Sequence, residues 1–244
     1  MTLSEKKIPA RERLIVALDF DTHAEALGLV AELGDAVHFY KVGFQLFLAG
    51  SYRDLVARLA DAGKKVFVDL KFFDVPETVS AAVRQLRACG AEFATIHGND
   101  AVVEAACAVE RGGLRLLAVT VLTSFDAGDL RDLGYPEQLS VEQLVLSRAR
   151  RALAAGADGV ISSGLEAAAL RKELGERFLV VSPGIRPFAN RPDDDQKRVM
   201  TPEQALRSGA DYIVVGRPVR GADDPRAAAL EIQASIAGIF GDGA

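Results

Sequence analysis

The feature that most constrains this chain is a rhythm. Eight short, nearly continuous apolar runs recur along it, each followed by a stretch with helical spacing. The runs are LIVAL (14–18), VHFYKV (37–42), KVFVDL (65–70), EFATIH (92–97), LRLLAVTVL (114–122), GVIS (159–162), FLVVS (178–182) and YIVVG (212–216). A strand with one face in water alternates apolar and polar residues. These runs do not alternate, so they predict parallel strands covered on both faces. The helical stretches are 23–33, 51–62, 77–88, 100–110, 140–155, 165–174, 202–208 and 225–237. Thr22, Pro76, Ser140 and Thr201-Pro202 read as helix starts. AGK (62–64), CGA (89–91), AGA (155–157) and SGA (208–210) read as stops, because glycine takes the left-handed conformation that ends a helix at little cost.

The repeat is about 30 residues, the size of one βα unit. Eight units with no Pro/Gly/Ser-rich linker predict an α/β fold, a (β/α)8 TIM barrel forming a single domain over residues 1–244. An open doubly wound sheet would carry a glycine-rich turn after its first strand, and ALDFDT (17–22) has no glycine. One segment breaks the rhythm: PGIRPFANRPDDDQKRVMTP (183–202), polar and rich in Pro and Asp. Long loops inside compact domains are often functional, and a lid is expected here.

Composition narrows the function classes. A hydrophobic share of 49% allows a sizeable core, and a net charge of -5 without a Lys/Arg-rich run argues against nucleic acid as the main partner. A small anion in a locally basic pocket stays open. Cys89 and Cys107 fit no metal or redox spacing and read as reduced thiols of a cytoplasmic protein. The opening MTLSEKKIPARER has no apolar signal-peptide core, and no run approaches the ~18 apolar residues of a membrane span.

In a barrel, chemistry gathers where strands end. The first strand delivers Asp19 there, the second Lys41, the third Asp69 and Lys71 with Asp74 just beyond. The fourth ends at His97, the fifth at Thr123 and Ser124. The seventh leads into Pro183, Gly184 and Arg186, and the eighth into Gly216 and Arg217. Singly these are weak signals: Asp19 reads as a helix cap, Lys41 as a snorkelling side chain, His97 as a hydrogen-bonded structural histidine. Together they place carboxylates and ammoniums in a layer where charge is rare unless paired. Asp69 and Lys71, two apart on a strand, project to one side. Asp74 follows on the loop and can swing back or reach a neighbouring subunit. Alternation of Lys41, Asp69, Lys71 and Asp74 would keep the lysines protonated and the carboxylates ionised at neutral pH. PGIR (183–186) and VGRP (215–218) follow strands seven and eight, where barrels commonly bind phosphate, and Gln196 in the long loop has an amide to add.

The segments VALDF (16–20), YKVG (40–43), DLKFFDVPET (69–78), VTVLTS (119–124), SPGIRP (182–187), DDQKRVMTPEQAL (194–206) and VVGRPV (214–219) resemble the orotidine 5'-phosphate decarboxylase family, in order and over nearly the whole chain. The DxKxxD element alone is shared with sugar-phosphate decarboxylases. Its combination with YKVG, PGIRP and VGRP is far more specific. The resemblance implies decarboxylation of orotidine 5'-phosphate without cofactor or metal. It implies ribose binding by Asp19 and Lys41, Asp69 against the departing carboxylate, and Lys71 as the acid that protonates C6. It also implies a homodimer in which Asp74 and Thr78 cross to the partner's site. Thr123 and Ser124 would meet the pyrimidine, while Gln196, Gly216 and Arg217, with Pro183 and Arg186 in the same loop system, would hold the phosphate. Three positions depart from the family pattern: Phe73 stands where His is usual, Glu77 where Asn is usual, and His97-Gly98-Asn99-Asp100 replaces His-Ala-Ser-Gly-Gly. Two rival classes stay in play: a metal-dependent sugar-phosphate lyase on the same barrel, and a non-catalytic phosphate-binding barrel.

Overall fold

The computed structural model describes residues 3–187 and 199–241. Eight parallel strands close into a barrel in strict chain order. They are β1 (Leu14–Ala17), β2 (Phe39–Gly43), β3 (Lys65–Phe72), β4 (Phe93–His97), β5 (Arg115–Val119), β6 (Gly159–Ile161), β7 (Leu179–Ser182) and β8 (Tyr212–Val215). The ring closes where Leu14, Ile15 and Val16 pair with Ile213, Val214 and Val215. All eight expected strands form, and the fold is the expected (β/α)8 barrel.

The expected helices form as well: α1 (His23–Leu33), α3 (Tyr52–Asp61), α4 (Pro76–Ala88), α5 (Asp100–Cys107), α7 (Val141–Ala154), α8 (Gly164–Leu174), α9 (Pro202–Arg207) and α11 (Pro225–Phe240). Thr22, Ser140 and Thr201 each close a reciprocal capping box with the residue three positions on. The four glycine stops take φ of 73°, 77°, 99° and 105° at Gly63, Gly90, Gly156 and Gly209. Three short α-helices were not expected, α2 (Phe44–Leu48), α6 (Ala127–Asp132) and α10 (Arg217–Arg220), nor were the 3-10 turns at Ala10–Glu12 and Gly34–Ala36. At four to six residues the three α-helices are too short to show a hydrophobic period. β5 also stops three residues before its apolar run does. There the Thr120 hydroxyl donates to the Ile161 carbonyl, and a turn follows in which Phe125 N–H donates to Leu122 O.

Two apolar layers result. One lies between strands and helices. The other fills the barrel with Phe39, Phe67, Phe93 and Tyr212, whose rings meet edge-on or tilted at 4.9–6.0 Å between centroids. This aromatic plug makes the barrel a packed core, not a pore. Above it the inward residues shrink to Ala17, Val119, Ile161 and Val214, and the space so released becomes a cavity at the C-terminal mouth.

The opposite end is tied by Asp211, which is fully buried. It accepts from Arg171 Nη2 at 2.7 Å, Val180 N at 2.8 Å and Lys6 Nζ at 3.1 Å, and from the Ser4 hydroxyl. Asp211→Ala would remove the fully buried carboxylate partner of the Arg171 guanidinium, leaving it only the part-exposed Glu176. The expected loss is about 3–5 kcal/mol of stability, read from urea denaturation midpoints.

Candidate active site

Alternation along each strand decides which side chains reach the mouth. On β2 the inward positions are Phe39, Lys41 and Gly43, and on β3 they continue from Phe67 to Asp69. The aromatic member of each pair plugs the barrel and the charged member stands two residues higher. The pocket they enter holds about 380 Å³. Asp19, Lys41, Asp69 and Lys71 line one side. Thr123 and Ser124 line another, on the loop after β5, not on the strand itself. Pro183, Arg186, Gly216 and Arg217 complete the wall.

The charges form a chain. Asp19 Oδ1 accepts from Lys41 Nζ at 3.1 Å, and Lys41 Nζ lies 3.7 Å from Asp69 Oδ2. Asp69 Oδ1 accepts from Lys71 Nζ at 2.9 Å. The Asp69 side chain is 15% exposed and that of Lys41 13%. Burial by itself would push the Asp69 carboxyl up. Lys41, Lys71 and the hydrogen bonds from Lys71 and Thr95 outweigh it and hold the group below the usual carboxylate range. Burial likewise opposes a charged Lys41, yet Asp69 and Asp19 hold its ammonium above the usual lysine value. The linkage signs follow. The depressed Asp69 contributes stability above its unfolded value of about 3.9 and loses it as pH falls through the lower folded value. The raised Lys41 contributes below its unfolded value of about 10.4 and loses it as pH rises through the higher folded value. Both groups are therefore charged across neutral pH.

Lys71 reaches this position at a conformational cost. Its φ is 48°, in the left-handed region, where among the described residues only glycines join it. The β3–β4 register shifts at the same place. Val68 pairs with Ala94 and Phe72 with Ile96, so Asp69, Leu70 and Lys71 stand against the single residue Thr95. Such bulges re-aim side chains beside active sites.

Not every expected residue meets here. Asp74 and Thr78 are exposed, and the Asp74 carboxylate accepts from Val75 N at 2.6 Å. The acidic end of the array within this chain is Asp19, where the alternation in DLKFFD suggested Asp74. Gln196 and most of the expected lid lie outside the described residues. The base of that loop is held where Arg186 N donates to Met200 O at 2.8 Å. His97 leaves the charged pocket for a neighbouring, mostly apolar cavity of about 340 Å³. It stacks on Phe73 with centroids 4.4 Å apart, its Nδ1 lies 2.7 Å from Asn99 Oδ1, and burial lowers its pKa. Two of the departures from the family pattern, Phe73 and Gly98, thus lie at this neighbouring cavity and beside Val119. A Cβ on Gly98 would come within 2.7 Å of the Val119 carbonyl. Glu77 pairs with Arg84 at 3.1 Å on the surface.

Two groups escape sequence reasoning. Arg220 lines the pocket one turn beyond Arg217 and lies over the Phe20 ring at 5.3 Å. Its signal was the i, i+3 spacing, invisible until α10 was known to be helical. Thr95 hydrogen-bonds both Asp69 and the Lys71 backbone. Its signal was an inward polar position inside an apolar strand.

An aromatic-plugged (β/α)8 barrel with a charged, partly buried array at its C-terminal mouth has the architecture of a barrel enzyme. Residues 12–232 match the Orotidine 5'-phosphate decarboxylase / HUMPS family, and the chain belongs to that family. A Methylococcus capsulatus protein named orotidine 5'-phosphate decarboxylase is 62% identical over 241 residues, covering 99% of this chain and 98% of that one. A namesake from Nitrobacter winogradskyi is 49% identical over 234 residues, covering 95% of each. The crystal structure of orotidine 5'-phosphate decarboxylase from Lactobacillus acidophilus superposes with a TM-score of 0.80 at 36% identity, covering 92% of this chain and 99% of that one.

If Lys41 is what keeps Asp69 ionised, Lys41→Met will move the Asp69 titration to higher pH. Carboxyl-carbon NMR of wild type and variant measures this, and superimposable titration curves would refute the coupling.

Proposed function

We propose that this chain, working as one barrel domain, decarboxylates orotidine 5'-phosphate to uridine 5'-monophosphate through the Asp19–Lys41–Asp69–Lys71 array. The observation that carries this reading is the position of Asp69. Its two oxygens face two different lysine side chains, so the carboxylate is held ionised and Lys71 Nζ is fixed beside it.

In the reaction the C6–CO₂⁻ bond breaks, carbon dioxide leaves, and the bonding pair stays on C6. Lys71 stabilises that pair and then donates the proton that replaces the carboxylate. Asp69 meets the substrate carboxylate before it leaves. That like-charge contact favours the departure of carbon dioxide, and Asp69 keeps Lys71 aimed at C6. Asp19 and Lys41 take the ribose hydroxyls, and Thr123 and Ser124 meet the pyrimidine. Pro183, Arg186, Gly216 and Arg217 hold the phosphate, with Gln196 contributed by the loop. The phosphate does not react, so its binding energy serves to position the ring over the array. No metal or organic cofactor has a part in these steps.

The working unit in this reading is a homodimer, with Asp74 and Thr78 reaching the partner's site. Phe73 and Val75, which flank Asp74, are 61% and 62% exposed, as suits residues that a second copy covers. A cytoplasmic setting belongs to the same reading, with Cys89 and Cys107 as free thiols. No described helix is long and apolar enough to cross a membrane.

An ultraviolet assay with orotidine 5'-phosphate tests the activity. EDTA should leave the rate unchanged, whereas loss of activity in EDTA would favour the sugar-phosphate lyase reading. Lys71→Ala should abolish turnover while uridine 5'-monophosphate still binds. Arg217→Ala should cost about 1.5–3 kcal/mol in kcat/KM, the size of a charge-assisted hydrogen bond, and a loss under about tenfold would remove Arg217 from the phosphate site. The dimer has its own test. Mixing inactive Lys71→Ala with inactive Asp74→Ala should restore about one active site in four, because half the dimers are hybrids and each hybrid has one intact site. Absence of rescue in subunits shown to exchange would sink the shared site.

A further inference from the structure

The bulge in β3 leaves a gap in the hydrogen-bond ladder, and one side chain fills it. Thr95, on the inward face of β4, is fully buried. Its Oγ1 lies 2.8 Å from the Lys71 amide nitrogen and 3.0 Å from Asp69 Oδ1. An amide can only donate, so the hydroxyl oxygen accepts there and its single proton goes to the carboxylate. One hydroxyl thereby fixes both ends of the Asp69–Lys71 pair. It replaces the backbone acceptor that the register shift removes from Lys71, which stands at φ 48°. It also fills an acceptor direction on the same oxygen that receives Lys71 Nζ at 2.9 Å. Neither job is open to an apolar β-branched residue of the same shape.

We propose that Thr95 is a positioning residue for decarboxylation, its hydroxyl locking the β3 bulge that aims Lys71 and orients Asp69. This rests on the roles given above to Asp69 and Lys71. Thr95 itself is fully buried and does not line the pocket. A small displacement of an acid from its target is costly, since positioning supplies much of the acceleration available to an enclosed site.

Two variants separate the hydroxyl from the methyl. Thr95→Val keeps the shape and deletes the hydroxyl, and Thr95→Ser keeps the hydroxyl and deletes the methyl. Thr95→Val should lower kcat about 10- to 100-fold, with KM and uridine 5'-monophosphate binding little changed because the phosphate grip lies elsewhere. The acid limb of its kcat/KM profile should move to higher pH, because Asp69 loses a donor that favours its charged form. Thr95→Ser should stay near wild type in both respects. Independently of turnover, hydrogen exchange at the Lys71 amide should accelerate in Thr95→Val and remain slow in Thr95→Ser. A Thr95→Val enzyme with wild-type kcat and acid limb would overturn the proposal, as would a Thr95→Ser enzyme as slow as Thr95→Val. Unchanged exchange in Thr95→Val would overturn the bridging role whatever the activity. An inactive wild type would overturn the decarboxylase reading and, with it, the catalytic half of the proposal.

Discussion

A carboxylate between two ammonium groups, near the top of a hydrophobic barrel, is the interaction on which the rest of this site depends. Taking a charge out of water costs several kcal/mol even after the protein relaxes. Asp69 is ionised because Lys41 and Lys71 stand on either side of it, and Lys41 is protonated because Asp19 and Asp69 do the same for it. Removing any one of these groups leaves a neighbour uncompensated. The array therefore behaves as a unit, and its charges are fixed before a substrate arrives. Such preorganisation makes an enclosed lysine more effective than one in water, where the solvent must reorganise around each new charge.

The barrel supplies what the array needs. Its interior is plugged by Phe39, Phe67, Phe93 and Tyr212, so the charged layer rests on an apolar floor. The inward alternation of β2 and β3 then lifts Lys41 and Asp69 to the mouth two residues above that plug. Ala17 and Gly216 line the same mouth beside Asp19. At the other end, Asp211 and Arg171 tie β7, β8 and the N-terminal segment together with buried charge. The buried ionic centre at the base and the partly buried array at the mouth thus have different tasks. At the base every Asp211 partner is a fixed structural group. At the mouth the array faces an open cavity of about 380 Å³.

Local regularity and local strain divide the two regions. The helices and strands follow propensity closely, with capping boxes at Thr22, Ser140 and Thr201. Among described residues, the non-glycine residue forced into the left-handed region is Lys71, the proposed acid. Strain of this kind, of order 1–3 kcal/mol, persists only where surrounding contacts over-determine it. Here those contacts are the Thr95 hydroxyl and the Asp69 carboxylate.

Much of this was legible in the amino-acid order, because it depends on near neighbours. Strand and helix periods are local, so the eight βα units and the caps at Thr22, Ser140 and Thr201 could be read directly. The charged groups that follow them, Asp19, Lys41, Asp69, Lys71, Arg186 and Arg217, could be read as well. What the chain order does not carry is pairing across distance. Asp19 joins Lys41 from 22 positions away, and Thr95 joins Asp69 from 26. Those partners are chosen by barrel closure and strand register. The register slip at β3–β4 balances ladder hydrogen bonds against the charge network, and no short-range pattern encodes that balance. The same holds for the ending of β5 at Val119 and for Arg220, which enters the pocket because four residues after Gly216 wind into a helical turn. Sequence alone determined which chemistry this protein carries and in what order. The tertiary structure decided which groups touch, because register and closure are properties of the whole barrel.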